Sequence, residues 1–117
     1  MKMCSIKRDK KKGRGVYAEE LINRGDTIEI CELVLIPMNE VGDDLSAYVF
    51  GYNNKQVAMA LGNGSLYNHD KKPNANCYFS SGKKQLVFEA IKNIRPNEEI
   101  LINYCYSKAD QKRYQIS

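Results

Sequence analysis

Apolar residues occur along this chain in short runs separated by polar turns, which is the pattern of a β-rich protein. The run from Glu29 to Ile36 is rich in isoleucine, valine and leucine and ends at Pro37, so it predicts a strand. Tyr48 to Phe50 and Val57 to Leu61 are briefer apolar runs of strand length. The sequence Gly62-Asn63-Gly64 then predicts a bend, because glycine and asparagine readily adopt the backbone angles of turns.

The second half of the chain predicts a hairpin and a last strand. Asn76 to Phe79 and Gln85 to Ile91 flank Ser80-Ser81-Gly82, which suits a hairpin loop of about three to five residues. The second of these runs lacks strict alternation, so we expect both of its faces to be partly covered. Arg95 to Glu98 predicts a turn, and Ile100 to Asn103 predicts the last strand. The fold class that follows is a mostly β domain of short strands.

Length and composition limit the chain to one globular domain. It has 117 residues, of which 43% are hydrophobic, and this excludes general disorder. Helix is expected at most in the polar segment from Asn39 to Ser46, beginning near Asp43 or Asp44, and a loop is the alternative there. No run approaches the roughly 18 apolar residues that cross a bilayer, and no apolar run follows the N-terminal lysines. We therefore expect an intracellular protein, cytoplasmic or nuclear, that is neither secreted nor bound to a membrane.

The cysteines and the single histidine argue against a metal site. Zinc sites use paired ligands at short spacing, and this chain has no CxxC pair. We expect no metal and reduced, partly buried thiols, although the sequence leaves a disulfide open. The four cysteines are Cys4, Cys31, Cys77 and Cys105.

Charge is unevenly distributed. Residues 1–14 hold seven basic residues against Asp9 (+6), residues 15–107 hold 12 acidic against 8 basic residues (−4), and the remaining residues add +2. We expect a basic N-terminal arm (1–12), a central domain (13–107) and a C-terminal tail (108–117). The acidic central part favours a basic peptide as partner. The segment from Lys7 to Lys12 is either functional or merely a solvated, mobile end.

Three segments in order complete a recognisable pattern. They are Gly13-Arg14-Gly15-Val16-Tyr17-Ala18, Tyr67-Asn68-His69-Asp70 with Pro73-Asn74 shortly after, and Glu98-Glu99-Ile100-Leu101-Ile102-Asn103-Tyr104. The apolar run Ala58-Met59-Ala60-Leu61-Gly62 precedes the second of them. From about Gly13 to Tyr106 the chain resembles the SET domain, the family of S-adenosylmethionine-dependent protein-lysine methyltransferases, and in particular its small viral and bacterial members. The resemblance implies a SET fold with a knot-like crossing near the C-terminus.

The resemblance also implies a cofactor site for S-adenosylmethionine. In the family the glycine-containing segment lies against the methionine part of the cofactor, which here points to Gly13, Arg14, Gly15 and Val16. The family's Asn-His pair and its backbone hold the amino-acid and adenine parts, which points to Asn68 and His69. Asp70 stands where many members have serine. Asn74 is expected to be a structural residue of the crossing, and Glu99 is expected either to brace the crossing or to be a turn carboxylate in water.

Tyr104 is the expected catalytic residue and also part of the cofactor site. A lysine amine that attacks a sulfonium methyl group must be neutral, aligned and shielded from water, and a tyrosine hydroxyl can orient it without a charge of its own. In the family the tyrosine that ends this pattern has that role, and Tyr104 matches it; alone, it would be read as a packing aromatic. Tyr48 and Tyr106 are the candidates for the walls of the lysine channel. Tyr17 and Tyr67 are as well explained by core packing.

These residues support one functional hypothesis and one alternative. The hypothesis is an enzyme that methylates a lysine in a flexible, basic protein segment such as a histone tail, acting as a homodimer because so small a domain lacks flanking modules. The alternative is an inactive SET-like module that binds a peptide or nucleic acid. Positive charge confined to the ends argues against a dedicated nucleic-acid binder.

Overall fold

The structure is a computed structural model that describes residues 2–11, 13–46 and 48–103. Within these ranges the chain is mostly β, as its sequence predicts. In chain order the strands are β1 (Cys4–Asp9), β2 (Gly13–Ala18), β3 (Thr27–Pro37), β4 (Phe50–Gly51), β5 (Gln56–Ala60), β6 (Asn68–His69), β7 (Ala75–Phe79), β8 (Gln85–Ala90) and β9 (Leu101–Ile102). The helical elements are the single turn α1 (Asp43–Ser46) and 3-10 turns at Met38–Glu40 and Ser81–Lys83. No helix in the described ranges is long and apolar enough to span a membrane.

The central sheet has five antiparallel strands in the order β4-β5-β3-β8-β7. Its middle strand, β3, is the apolar run that the sequence marks as a strand. Ile28 and Cys31 are buried, whereas Ile30 and Val34 are exposed on the outer face. A register irregularity between Thr27 and Glu29 precedes this alternation.

Strand β8 carries much of the core. Leu86, Val87 and Phe88 are consecutive and all buried, so both faces of this strand are covered, as the missing alternation predicts. It forms the predicted hairpin with β7. On the same side of the molecule, Tyr67 stacks on Phe88 with ring centroids 4.3 Å apart and an interplanar angle of 24°. Core packing is therefore the structural role of Tyr67.

The buried hydroxyl of Tyr67 donates a hydrogen bond of 2.7 Å to Glu29 Oε1 on β3. The second oxygen of Glu29 accepts from the backbone N–H of Asn63 at 3.0 Å, so the carboxylate ties the turn after β5 to the central strand. A side chain on Gly62, whose φ is +69°, would collide with the same carboxylate. Burial, followed by the proximity of Glu29, raises the pKa of Tyr67 well above its usual value.

Two of the cysteines are free thiols and one is not. Cys4 and Cys31 are free, and burial raises their pKa to about 11 and about 12. Cys77, buried in β7, is disulfide-bonded, so the expectation of a reduced thiol is wrong for this residue. No cluster of three or more metal-ligating side chains occurs among the residues that the structure describes.

The crossing near the C-terminal end is formed by β6 and β9, which pair in parallel. The backbone N–H of Asp70 donates to the carbonyl of Ile102 at 2.9 Å. Asn74 holds the crossing with its side chain: Nδ2 donates to the carbonyl of Glu99 at 2.8 Å, and Oδ1 accepts from the N–H of Leu101 at 2.8 Å. These bonds give Asn74 the structural role expected of it.

The segment expected to be a basic arm contains strand β1. It pairs antiparallel with β2 over its whole length, and Lys2 before it lies 3.4 Å from the carboxylate of Asp26. Lys7 Nζ lies 5.4 Å from the ring centroid of Tyr17 and donates to Asn97 Oδ1 at 3.3 Å. The first part of the Lys7 to Lys12 segment, up to Asp9, therefore lies in a paired strand. The arm and the central domain share one sheet.

Candidate functional site

The end of the β1–β2 hairpin and the start of β6 enclose a cavity of about 490 Å³. Gly13 and Arg14 from the first predicted segment line it together with Asn68 from the second. Tyr48, a predicted channel residue, lines it as well. The remaining lining residues are Arg8, Asp9, Ser65, Leu66 and Tyr67.

Asn68 is held in one orientation by two hydrogen bonds. Its Nδ2 donates to the backbone carbonyl of Arg14 at 2.9 Å and to Glu99 Oε2 at 2.7 Å. An amide nitrogen has two hydrogens, so these two acceptors use both and also fix which end of the amide is nitrogen. The Oδ1 atom of Asn68 has no hydrogen-bond donor among the described residues, so it is available to accept a bond from a ligand.

Glu99 joins the third predicted segment to the first. Its backbone forms an isolated antiparallel β-bridge with Tyr17. Two backbone hydrogen bonds flank this bridge: Ile100 N–H donates to the carbonyl of Val16 at 2.8 Å, and Ala18 N–H donates to the carbonyl of Glu98 at 2.9 Å. The carboxylate is therefore a partner of Asn68 rather than a turn residue in water. All three sequence segments meet at this point.

Position 15 has no room for a side chain, because Glu99 and Asn68 lie directly beside the backbone there. A methyl group built on Gly15 would collide with the Glu99 carboxylate and would lie 3.0 Å from Asn68 Nδ2. Gly13 has a different reason to be glycine: its φ is +78°, and open space surrounds it. The Gly-x-Gly pattern thus combines one turn residue with one close approach.

A smaller cavity of about 140 Å³ adjoins the first. It shares Tyr48, Ser65, Tyr67 and Asn68 with the larger cavity, which makes the two spaces neighbours. Its other lining residues are Val49, Phe50, His69 and Ile102. His69 is mainly exposed, and its backbone pairs with Ile102 in the crossing.

The predicted site residues are brought together only in part. Gly13, Arg14, Asn68 and Tyr48 line one cavity, and His69 lines the adjoining one. Gly15 and Val16 line neither: the side chain of Val16 is fully buried in the core. Tyr104 and Tyr106 lie outside the described residues, so their roles stay predictions.

Sequence reasoning missed part of the lining. Arg8 and Asp9 reach the cavity because β1 places them beside Gly13 and Arg14, and the register pairs Arg8 with Arg14 directly. The alternation of Cys4 and Ile6 with the more polar Ser5 and Lys7 is the signal that could have revealed this strand. Ser65 and Leu66 carried no comparable signal.

Another cavity, of about 590 Å³, lies elsewhere, between the β4–β5 turn and the loop after β7. None of the predicted site residues lines it. Lys83 closes one side of it, donating from Nζ to the carbonyl of Tyr52 at 2.7 Å and lying 5.1 Å from the centroid of that ring. We therefore take the cavity at Asn68 as the candidate site.

Comparison with known proteins identifies the family of this chain. The family model of the SET domain matches residues 13–105. The chain belongs to the SET-domain family. Its match includes the three segments that meet at Asn68, whereas β1 precedes the matched range.

Relatives of this SET domain with curated names come from the fission yeast Schizosaccharomyces pombe. A histone-lysine N-methyltransferase specific for H3 lysine-37 is 30% identical over 104 residues, which cover 85% of this chain and 71% of the relative. The histone-lysine N-methyltransferase set9 is 32% identical over 96 residues, covering 76% of this chain and 21% of set9. The chain thus spans about a fifth of set9.

Solved structures of SET proteins share the fold. A protein of Plasmodium falciparum described as a histone methyltransferase superposes with a TM-score of 0.74 at 32% identity, covering 90% of this chain and 99% of the other. CpSET8 from Cryptosporidium superposes with a TM-score of 0.67 at 25% identity, covering 92% of this chain and 59% of that one.

Proposed function

We propose that this SET domain transfers a methyl group from S-adenosylmethionine to the side-chain amine of a protein lysine, in a flexible basic segment such as a histone tail. Membership of the family supports this, as does the histone-lysine methyltransferase activity in the names of both curated relatives. The observation that carries the proposal is the convergence of the three motif segments at Asn68. Residues of two segments line one cavity, and the third segment is joined to Asn68 by the hydrogen bond from Asn68 Nδ2 to Glu99.

The residues present fit the cofactor. A cavity of about 490 Å³ lies within the range of roughly 300–1,000 Å³ that small-molecule sites occupy. Asn68 Oδ1 is oriented as an acceptor, which suits the ammonium of an amino-acid group. Gly13 and Arg14 would form one wall, with the backbone close to the ligand. The bound cofactor supplies an electrophilic methyl group on a sulfonium.

The protein would then have to present a neutral lysine amine in a dry passage. A free lysine has a pKa of about 10.4, and desolvation favours its uncharged form. The small cavity next to Asn68 is the candidate for this passage, because Tyr48 lines both it and the larger cavity. Tyr48 and Tyr106 remain the proposed walls of the lysine channel. We propose that the Tyr104 hydroxyl orients the amine, so that most of the rate comes from positioning.

The charge of the domain supports a basic substrate. The part from residue 15 to residue 107 carries −4, which would raise the encounter rate with a lysine-rich segment. A histone substrate would place the protein inside the cell, in the nucleus or cytoplasm. The inactive-module alternative is not favoured, since Asn68 keeps its hydrogen bonds to Arg14 and Glu99 and the named relatives are enzymes.

The experiment is methyl transfer from labelled S-adenosylmethionine to a peptide array and to intact histones, with each positive peptide repeated with lysine replaced by arginine. Tyr104→Phe should lower the rate by roughly two to three orders of magnitude, by analogy with the loss of other preorganised donors. Calorimetry should show its cofactor affinity nearly unchanged.

Tyr78→Phe is the matched control, because Tyr78 is an exposed tyrosine on β7 that lines neither cavity. It should keep the wild-type rate. Absence of transfer to every lysine substrate, together with no cofactor binding at millimolar concentration, would overturn the proposal.

A further inference from the structure

The outer half of the β1–β2 hairpin projects from the domain. The inner residues Val16 and Ala18 are fully buried, whereas the residues from Ile6 to Lys11 on one side, and Gly13 and Arg14 on the other, are all exposed. The side chains of the projecting part are mainly cationic. We define the basic hairpin tip as Arg8, Lys10, Lys11 and Arg14.

The charges of the basic hairpin tip have no partners in the part of the chain that the structure describes. Among the described residues, none of these four side chains makes a salt bridge or a side-chain hydrogen bond. Asp9, the acid between them, accepts at Oδ1 from the backbone N–H of Lys11 at 2.6 Å, which shapes the turn. Lys7, by contrast, is engaged with Tyr17 and Asn97.

The arrangement is unfavourable for the hairpin itself. Arg8 and Arg14 are direct cross-strand partners, and like charges in that position destabilise a β pair. Hairpin stability therefore does not explain this sequence. An external polyanion would relieve the repulsion by placing phosphates between and beside the cations.

We propose that the basic hairpin tip is a docking surface for duplex DNA, which it contacts through the phosphate backbone and without reading sequence. A two-stranded ribbon is narrow enough to lie along a groove about 12 Å wide, and four unpaired cations on it give a local field of one sign. The central part of the chain, at −4, would be repelled, so contact would be confined to the hairpin. Such a contact needs no broad basic face, because it uses positive charge that is confined to one end of the sequence.

Charge neutralisation sets the expected salt dependence. Four phosphate contacts predict a slope of about −3.6 for log K against log salt, which is roughly a 100-fold loss of affinity between 50 and 200 mM salt. A variant that makes two phosphate contacts fewer should have a slope of log K against log salt of about −1.8. Binding at the weak level of non-specific DNA association, tens of micromolar at the higher salt, is what so small a contact supports.

The chain contains its own control for the test. Asp70-Lys71-Lys72 repeats the sequence Asp9-Lys10-Lys11, and in both the aspartate Oδ1 accepts from the N–H two residues later, at 2.8 Å and 2.6 Å. Both pairs of lysines are exposed. Lys10→Gln/Lys11→Gln and Lys71→Gln/Lys72→Gln therefore change net charge equally in the same local structure.

The experiment measures fluorescence anisotropy of a labelled duplex of about 20 base pairs with the full chain and both double variants, without cofactor, across a salt series. Neither Lys10 nor Lys11 lines the cavity at Asn68, so peptide methylation should be unchanged in that variant. We expect the hairpin variant to lose at least tenfold in affinity and about half of the salt slope, with the control variant within twofold of wild type. Equal losses in both variants, a salt-independent signal, or tighter binding to single-stranded RNA than to the duplex would each overturn the proposal.

Discussion

Removing the hydroxyl of Tyr67 should cost the domain a measurable part of its stability. Tyr67→Phe keeps the ring, so the stack on Phe88 at 4.3 Å and the burial of the ring are retained. What is lost is one hydrogen bond of 2.7 Å to the Glu29 carboxylate. The substitution therefore isolates the contribution of a buried, charge-assisted hydrogen bond.

The structure sets the size of this loss. Hydrogen bonds to charged groups contribute about 1.5–3 kcal/mol to stability. Glu29 is only partly buried and keeps its bond from the Asn63 N–H, so it is not left without a donor. We therefore expect the lower half of that range, about 1.5–2 kcal/mol, and a fall in Tm of roughly 6–8 °C for a domain of this size.

Tyr78→Phe is a control of the same chemistry. Tyr78 also donates to a glutamate, Glu89, but at 3.2 Å and with 43% of its surface exposed. Its loss should stay within about 0.5 kcal/mol. Urea unfolding of both variants, followed by circular dichroism at pH 7, makes the comparison. If Tyr67→Phe were as mild as Tyr78→Phe, the Glu29 bond would contribute nothing to stability.

The pH dependence gives a second, independent readout of Tyr67. Its folded pKa is raised above the ordinary value of 10.0, so its contribution is complete below pH 10 and is lost as pH rises beyond it. The difference between wild type and Tyr67→Phe should thus be constant from pH 6 to 9 and shrink above pH 10. Cys4 and Cys31 titrate in the same alkaline range, with pKa values of about 11 and about 12, but they are present in both proteins. A difference that grows above pH 10 would contradict the raised pKa.

Three further predictions concern the site, the assembly and the substrate. Gly15→Ala should break the bond between Asn68 and Glu99 and lower cofactor affinity at least tenfold by calorimetry, whereas Gly42→Ala, which meets nothing within 4 Å, should not; equal affinities would refute the close-approach role. We expect light scattering at tens of micromolar to show a homodimer. If the outer face of the central sheet is the dimer interface, Ile30→Lys on that exposed face should yield monomers. A wild-type species of 13.4 kDa with full activity would exclude the dimer. Peptide KM should rise with salt while cofactor KM changes less, because the Debye length falls from about 10 Å at 0.1 M to about 3 Å at 1 M; a salt-independent peptide KM would contradict steering by the acidic domain.

Secondary-structure elements that have an apolar run or turn residues of their own were predicted correctly from the sequence. Strand β3, the β7–β8 hairpin and the turn after β5 each carry their own apolar run or turn residues, so the neighbouring chain was sufficient to find them. The short helix at Asp43–Ser46 began where its acidic residues indicated. The last strand was predicted in place but proved shorter, because pairing in parallel with the two residues of β6 limits its ladder.

Strand β1 was missed because charge obscured its pattern. Its lysines and arginine belong to the exposed half, where nothing requires apolar residues, and only Cys4 and Ile6 preserve the alternation. What makes this segment a strand is pairing with β2, and such pairing is decided by the partner as much as by the segment. Likewise, nothing local could predict that Tyr67 would meet Glu29, 38 positions earlier.

The residue types at the site were recognised from the motif, but the physical reason for one of them was not. Asn68 was predicted as a cofactor-binding residue because it belongs to the Asn-His pair of the family. In the structure both donor hydrogens are used inside the protein, on the Arg14 carbonyl and the Glu99 carboxylate. Aspartate at this position would face two acceptors without a proton to give, and serine has one hydrogen instead of two. Asparagine can hold the three segments together through its nitrogen while its oxygen keeps no donor among the described residues, which explains why one side chain stands at the centre of both the fold and the candidate site.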